Sequence, residues 1–156
     1  MRRLLLQVLS HAVFAVGGFA AGIYSLPILT APAPPAAAEL AAVADVAEFR
    51  GRFRRDLAGS DFLHWGDGEV LVGQTAIAFD GRIAPGPDYR LYLSPGFPAT
   101  EAEFLRLRDQ MVRVGEIRTF HDFLVPVPSS VDPGAYNSVV VWCEAFGAFI
   151  TAAQYR

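Results

Sequence analysis

Cys143 and His64 carry most of this 156-residue chain's options for redox, nucleophilic or metal chemistry, because the chain has one cysteine and three histidines. Cys143 lies in Val139-Val140-Val141-Trp142-Cys143-Glu144-Ala145-Phe146. In a strand, alternation puts it on one face with Val139 and Val141, and turns Val140, Trp142 and Glu144 to the other. Two readings stand. A buried thiol can act as a small hydrophobe. In an oxidising compartment, an unpaired thiol is instead a redox group, a thiolate ligand to iron or half of an intermolecular disulfide. A single cysteine excludes an intramolecular disulfide, a CxxC pair and a zinc ribbon.

His64 sits in Asp61-Phe62-Leu63-His64-Trp65-Gly66-Asp67-Gly68, among acids and glycines. A loop histidine beside carboxylates can ligate a metal or titrate near neutral pH, or can be merely solvated. His121, next to Asp122, offers the same choice more weakly. No HExxH is present, and chain order alone leaves a Cys143–His64 pair open. Gly66-Asp67-Gly68 lacks the lysine, serine or spaced carboxylates of a phosphate or calcium loop. Trp65, Trp142, Tyr89, Tyr92, Tyr136 and Tyr155 either line a pocket and carry electrons or form ordinary sheet core and cross-strand pairs. All 13 basic residues are arginine, which removes Schiff-base and general-base lysine chemistry.

These residues need a scaffold, and the spacing of turn residues predicts mainly short strands. Candidate strands cover 49–57, 69–79 (closed by Asp80-Gly81), 89–93, 112–117, 123–127, 138–146 and 149–155. Pro126 and Pro128 confine the fifth to a sheet edge or a strand end. Thr100 and Glu103 form a capping box for one helix, whose apolar stripe is Phe104, Leu105, Leu107 and Met111. About eight strands and one short helix predict a mainly β domain, a β-sandwich or barrel.

The hydrophobicity is not evenly spread. The chain is 53% apolar with a formal charge of −3. Its first 38 residues hold 24 of the apolar side chains, and only Arg2 and Arg3 are charged there. The run from Leu4 to Leu29 exceeds the about 20 residues that cross a hydrocarbon core, so residues 4–29 are expected to enter the membrane. Arg2 and Arg3 on the short side predict a cytoplasmic N-terminus and a domain on the periplasmic or extracellular side. A cleaved signal peptide ending near Ala36-Ala37-Ala38 is the rival reading, although the apolar run exceeds the usual h-region. Three units follow: an anchor at 1–29, a Pro/Ala-rich stalk at 30–48 and a β domain at 49–156. The TAPAPPAAA stretch is expected to extend as a semi-rigid spacer, with one or two helical turns after Glu39. His11 falls within the anchor, where an interfacial role is the simple reading. A sequence pI near 5.5 argues against nucleic acid as a partner.

The motif from His64 to Val70, the Gly86-Pro87-Asp88 turn before Tyr89-Arg90-Leu91-Tyr92-Leu93, and Tyr136 to Phe146 together resemble the DM-thirteen domain family. The Val-Trp-Cys-x-x-Phe element is the most specific. The resemblance covers roughly Phe49 to Tyr155. It implies a β-rich, proposed electron-transfer domain whose cysteine, here Cys143, is the redox centre, either as a thiol or as ligand to a prosthetic group such as haem. His64 is the candidate second contact, with Trp65 and Trp142 shaping the pocket. The family's animal members carry DOMON or cytochrome modules that this chain lacks, so a separate redox partner protein is expected. The other reading is a binding or interaction module with a structural cysteine.

Overall fold

The computed structural model describes residues 1–156. Its β domain has eight strands: β1 (Phe49–Phe53), β2 (Gly66–Val72), β3 (Ala76–Ile83), β4 (Tyr89–Ser94), β5 (Val112–Ile117), β6 (His121–Pro126), β7 (Ser138–Cys143) and β8 (Ala148–Gln154). Helix α1 (Arg2–Thr30) and helix α2 (Ala37–Val46) precede them, and α3 (Glu101–Leu107) lies between β4 and β5. All strand pairs are antiparallel, in two four-stranded sheets ordered β1-β2-β3-β6 and β5-β4-β7-β8. β1 lies beside β8, and β5 beside β6, so the sandwich is nearly closed along both seams. The mainly β architecture with one short helix in the domain agrees with the sequence.

Alternation sorts the core. Val70, Val72, Ile77, Phe79, Leu91, Leu93, Val139 and Val141 meet between the sheets, with Cys143 in the same cluster. Val140 and Trp142 point out of the sandwich and join Tyr92, Phe104, Phe149 and Ala152 in a second cluster under α3. Thr100 caps α3 by accepting from Glu103 N at 3.3 Å, and the Glu103 carboxylate reaches back to Ala99 N at 2.7 Å. Only Phe104 of the helix stripe is fully buried, and Leu105 is exposed, because α3 is two turns long and presents a narrow face. β6 is an edge strand, where its terminal proline leaves no ladder donor missing.

Three sequence expectations change. The run 69–79 is two strands of a hairpin, since Gly73-Gln74-Thr75 turns the chain between β2 and β3. Asp80 and Gly81 do not close β3; they continue it opposite Glu69 and Gly68. The strand from Phe49 stops at Phe53, where Arg54-Arg55-Asp56 turns away.

The proline-rich stretch also differs from a free spacer. Ala31 packs on the main core, and Pro32, Ala33 and Pro35 lie along Glu116 to Leu124. Helix α2 then packs near β3, and Glu48 N bonds Val72 O at 3.0 Å. The linker therefore runs the length of the sandwich, from the end holding Tyr89 and Cys143 to the end holding Gly73. Helix α1 has no buried residue over 29 residues and is apolar and long enough to cross a bilayer.

Candidate functional site

β7 ends at Cys143, and the chain reverses through Glu144-Ala145-Phe146-Gly147 into β8. Gly147 adopts a φ of +61°, a left-handed conformation that glycine takes without strain and that lets the turn close directly behind the thiol. Cys143 pairs with Tyr89 on one side and Ala148 on the other. Its residue exposure is only 2%. Burial pushes the thiol pKa up from the usual 9.0, and the nearby Asp88 charge adds to the rise; backbone N–H groups of Phe146, Asp88 and Ala145 oppose it. The sulfur is therefore a neutral thiol at neutral pH, held where peptide dipoles favour negative charge on it.

The thiol forms part of the wall of a cleft of about 190 Å³ at this end of the sandwich. Tyr89, His64, Leu63, Phe146, Ile150 and the Pro85-Gly86-Pro87 loop line it, and Ala20, Ile23 and Tyr24 of α1 complete it. At Gly86 a Cβ would stand 2.4 Å from the Tyr89 hydroxyl, so the loop can lie on that ring only as glycine. Asp88 fixes the same loop twice. Its carboxylate pairs with Arg90 at 2.8 Å, and its carbonyl accepts from Glu144 N at 2.9 Å, tying the loop to the turn after Cys143.

His64 is placed by its own short loop. One Asp61 carboxylate oxygen accepts from the backbone of Leu63 at 2.7 Å and of His64 at 2.8 Å, and the other lies 2.9 Å from His64 Nδ1. Because an ionised carboxylate only accepts, Nδ1 carries the proton, and Nε2 is not engaged by Asp61. The His64 bond, followed by the two backbone donors, holds the Asp61 carboxyl below its usual range against a desolvation cost. Cys143 and His64 thus line the same cleft.

The tryptophans do not. Trp142 is on the opposite face of β7, stacked on Phe104 with centroids 4.0 Å apart and planes 6° from parallel. Strand alternation requires this for the residue next to Cys143. Trp65 lies outside the cleft lining and carries the Arg55 guanidinium 3.4 Å over its ring. His121 pairs with Arg82 at the end of β3 and does not line the cleft.

Tyr89 and Tyr92, for which the sequence left pocket and core readings open, and the distant pair Arg108 and Glu144 complete the two faces. Tyr89 is a wall of the cleft, its hydroxyl pKa raised by burial and by the neighbouring Cys143. On the other face the Tyr92 hydroxyl donates to one Glu144 oxygen, and Arg108 donates to the other at 3.0 Å. The Trp142 Nε1–H is buried there and meets no acceptor in the protein. The sequence signal for Tyr89 was the Gly-Pro-Asp turn just before it. For Arg108 and Glu144 there was none, since they are 36 residues apart.

No group of three or more His, Cys, Asp and Glu side chains is arranged to hold a metal ion. A haem does not fit the cleft as it stands: about 190 Å³ is below the about 300 to 1,000 Å³ of pockets that bury drug-sized ligands.

Fold and site define a small antiparallel β-sandwich domain with its one thiol in a cleft at one end. Residues 56–155 match the family model described as electron transfer DM13, and the chain belongs to that family. No curated protein and no solved structure matches it.

Proposed function

We propose that the chain is a single-pass membrane protein that displays an electron-transfer domain on the periplasmic or extracellular side, with Cys143 as the redox-active group. The observation carrying this reading is the surroundings of the chain's one thiol. It lies in a cleft lined by the His64 imidazole and the Tyr89 ring, and nearby backbone groups oppose the rise that burial imposes on its pKa. Polar groups and burial of that kind tune the potential of a sulfur centre. One-electron oxidation of the thiol leaves a thiyl radical, the electron passing to an electron-accepting partner and the proton to a base, for which His64 is the candidate lining the same cleft. Family membership supports the redox role. An apolar α1 with Arg2 and Arg3 at its start supports the anchor and its direction.

Redox titration of the purified full-length protein tests this. A reversible transition that disappears in Cys143→Ser and shifts in His64→Gln is expected. A transition unchanged in Cys143→Ser rules out the thiol as the centre.

A second reading rests on the 2% exposure and raised pKa of the thiol: a binding module with a structural cysteine. It requires that Cys143 resist every thiol reagent until the protein unfolds.

A further inference from the structure

Three large apolar side chains stand exposed at one end of the molecule: Phe62 at 85%, Phe146 at 62% and Leu63 at 43%. They come from two loops, the one ending at Trp65 and the turn between β7 and β8, and Leu63 and Phe146 line the Cys143 cleft. Folding does not need them there. Water makes such a cluster costly, and clusters of this kind mark interaction sites.

The position of α1 decides what covers them. At 1.5 Å per residue, about 20 residues span a 30 Å hydrocarbon core, so a span starting at Leu4 reaches the far boundary near Ile23. Ala20, Ile23 and Tyr24 are the α1 residues that share the cleft with Leu63 and Phe146. The loops therefore sit at the depth where hydrocarbon gives way to headgroups, the level at which aromatic belts collect. Tyr24 belongs at that level, as does Trp65 with Arg55 stacked on it. The linker supports the same orientation. It leaves α1 at the Cys143 end and runs away from it along the domain, so it does not lift this end off the bilayer.

We propose that Phe62, Leu63 and Phe146 dip into the interfacial layer of the outer leaflet, so that the Cys143 cleft opens to lipid and is reached by uncharged, lipid-soluble compounds and not from water. This rests on the reading of α1 as a membrane anchor. Insertion of this kind gains from each buried apolar group and fixes the tilt of the domain on its anchor. It also reconciles a thiol sealed from water with one that reacts.

The full chain, reconstituted in phosphatidylcholine vesicles with a minority of phosphatidylglycerol, tests the proposal. Phe146→Trp and Phe62→Trp each add an exposed indole at the rim, and Val46→Trp adds one at the far end, where Val46 is 66% exposed. With lipid carrying a headgroup-proximal nitroxide, the added emission of both rim variants is expected to be blue-shifted and mostly quenched. That of Val46→Trp is expected to stay unquenched. Equal quenching at both ends, or none at the rim, overturns the docking while the protein still floats with the vesicles. Failure to float after an alkaline wash removes the anchor reading as well. In the same vesicles an uncharged maleimide is expected to label Cys143 at least about tenfold faster than its sulfonated analogue. Equal rates, or no labelling by either, overturn the lipid route to the thiol.

Discussion

Cys143 and Trp142 are neighbours in sequence that face opposite ways from one strand, and their surroundings differ in almost every respect. Trp142 is packed against Phe104 in a filled cluster, with Tyr92 edge-on to Phe104 and the Tyr92–Glu144–Arg108 bonds at its rim. Cys143 borders open volume, with peptide N–H groups, an imidazole and a phenol around it. The outer face is built for stability and the inner end of the sheet keeps a space. A residue type that looks functional in a motif can therefore be the scaffold for the one beside it.

The largest test of that contrast is Trp142→Ala, which removes the ring that α3 packs on. It is expected to cost about 3 to 5 kcal/mol in equilibrium denaturation. Trp142→Phe keeps the domain folded for the companion measurement, and the redox response of Cys143 is expected to be unchanged. A lost response would join the two faces into one site.

Alkaline titration separates the faces next. Burial raises the pKa of Tyr89 and Tyr155 above the usual 10.0 and of Cys143 above the usual 9.0. A pKa raised by folding contributes stability that is full below the unfolded value and lost as pH rises through the folded one. Denaturant midpoints should therefore hold steady up to about pH 9 and fall above it, and Cys143→Ala should delay the onset. An onset unmoved by that variant would mean the thiol is not desolvated.

Glu144→Gln acts on the outer rim alone. It weakens the bonds from Tyr92 and Arg108, with an expected loss of about 1 to 3 kcal/mol. Burial first, and then Glu144, hold the Tyr92 hydroxyl pKa up, so the variant should bring that tyrosine's ionisation to lower pH in an absorbance titration. Smallest in stability is Cys143→Ala, about 1 kcal/mol for one buried group of methylene size, with complete loss of the thiol's redox response. A loss above about 3 kcal/mol would class Cys143 with Trp142 as a packing residue.

Much of the sandwich was legible in the sequence alone. Alternation in Val139 to Cys143 predicted which side chains meet between the sheets, because a strand has a period of two and one sheet face is buried. The cap at Thr100 and the confinement of β6 to an edge followed from single residues with local rules. The hairpin between β2 and β3 was missed because Gly73-Gln74-Thr75 interrupts an apolar run without a strong turn dipeptide. The linker was read as a free spacer because proline content sets stiffness, while its path depends on which surface accepts it.

By itself the sequence determined the apolar span, the exclusion of an intramolecular disulfide and of lysine chemistry, the β architecture and the lone thiol, since composition and periodicity act locally. The pairing of Tyr92 and Arg108 with Glu144, the exclusion of both tryptophans from the cleft, and the meeting of His64, Tyr89 and Cys143 beside α1 were decided by the tertiary structure. Those depend on the strand order β5-β4-β7-β8 and on where α1 comes to rest, which bring together residues tens of positions apart. No local rule encodes such distances.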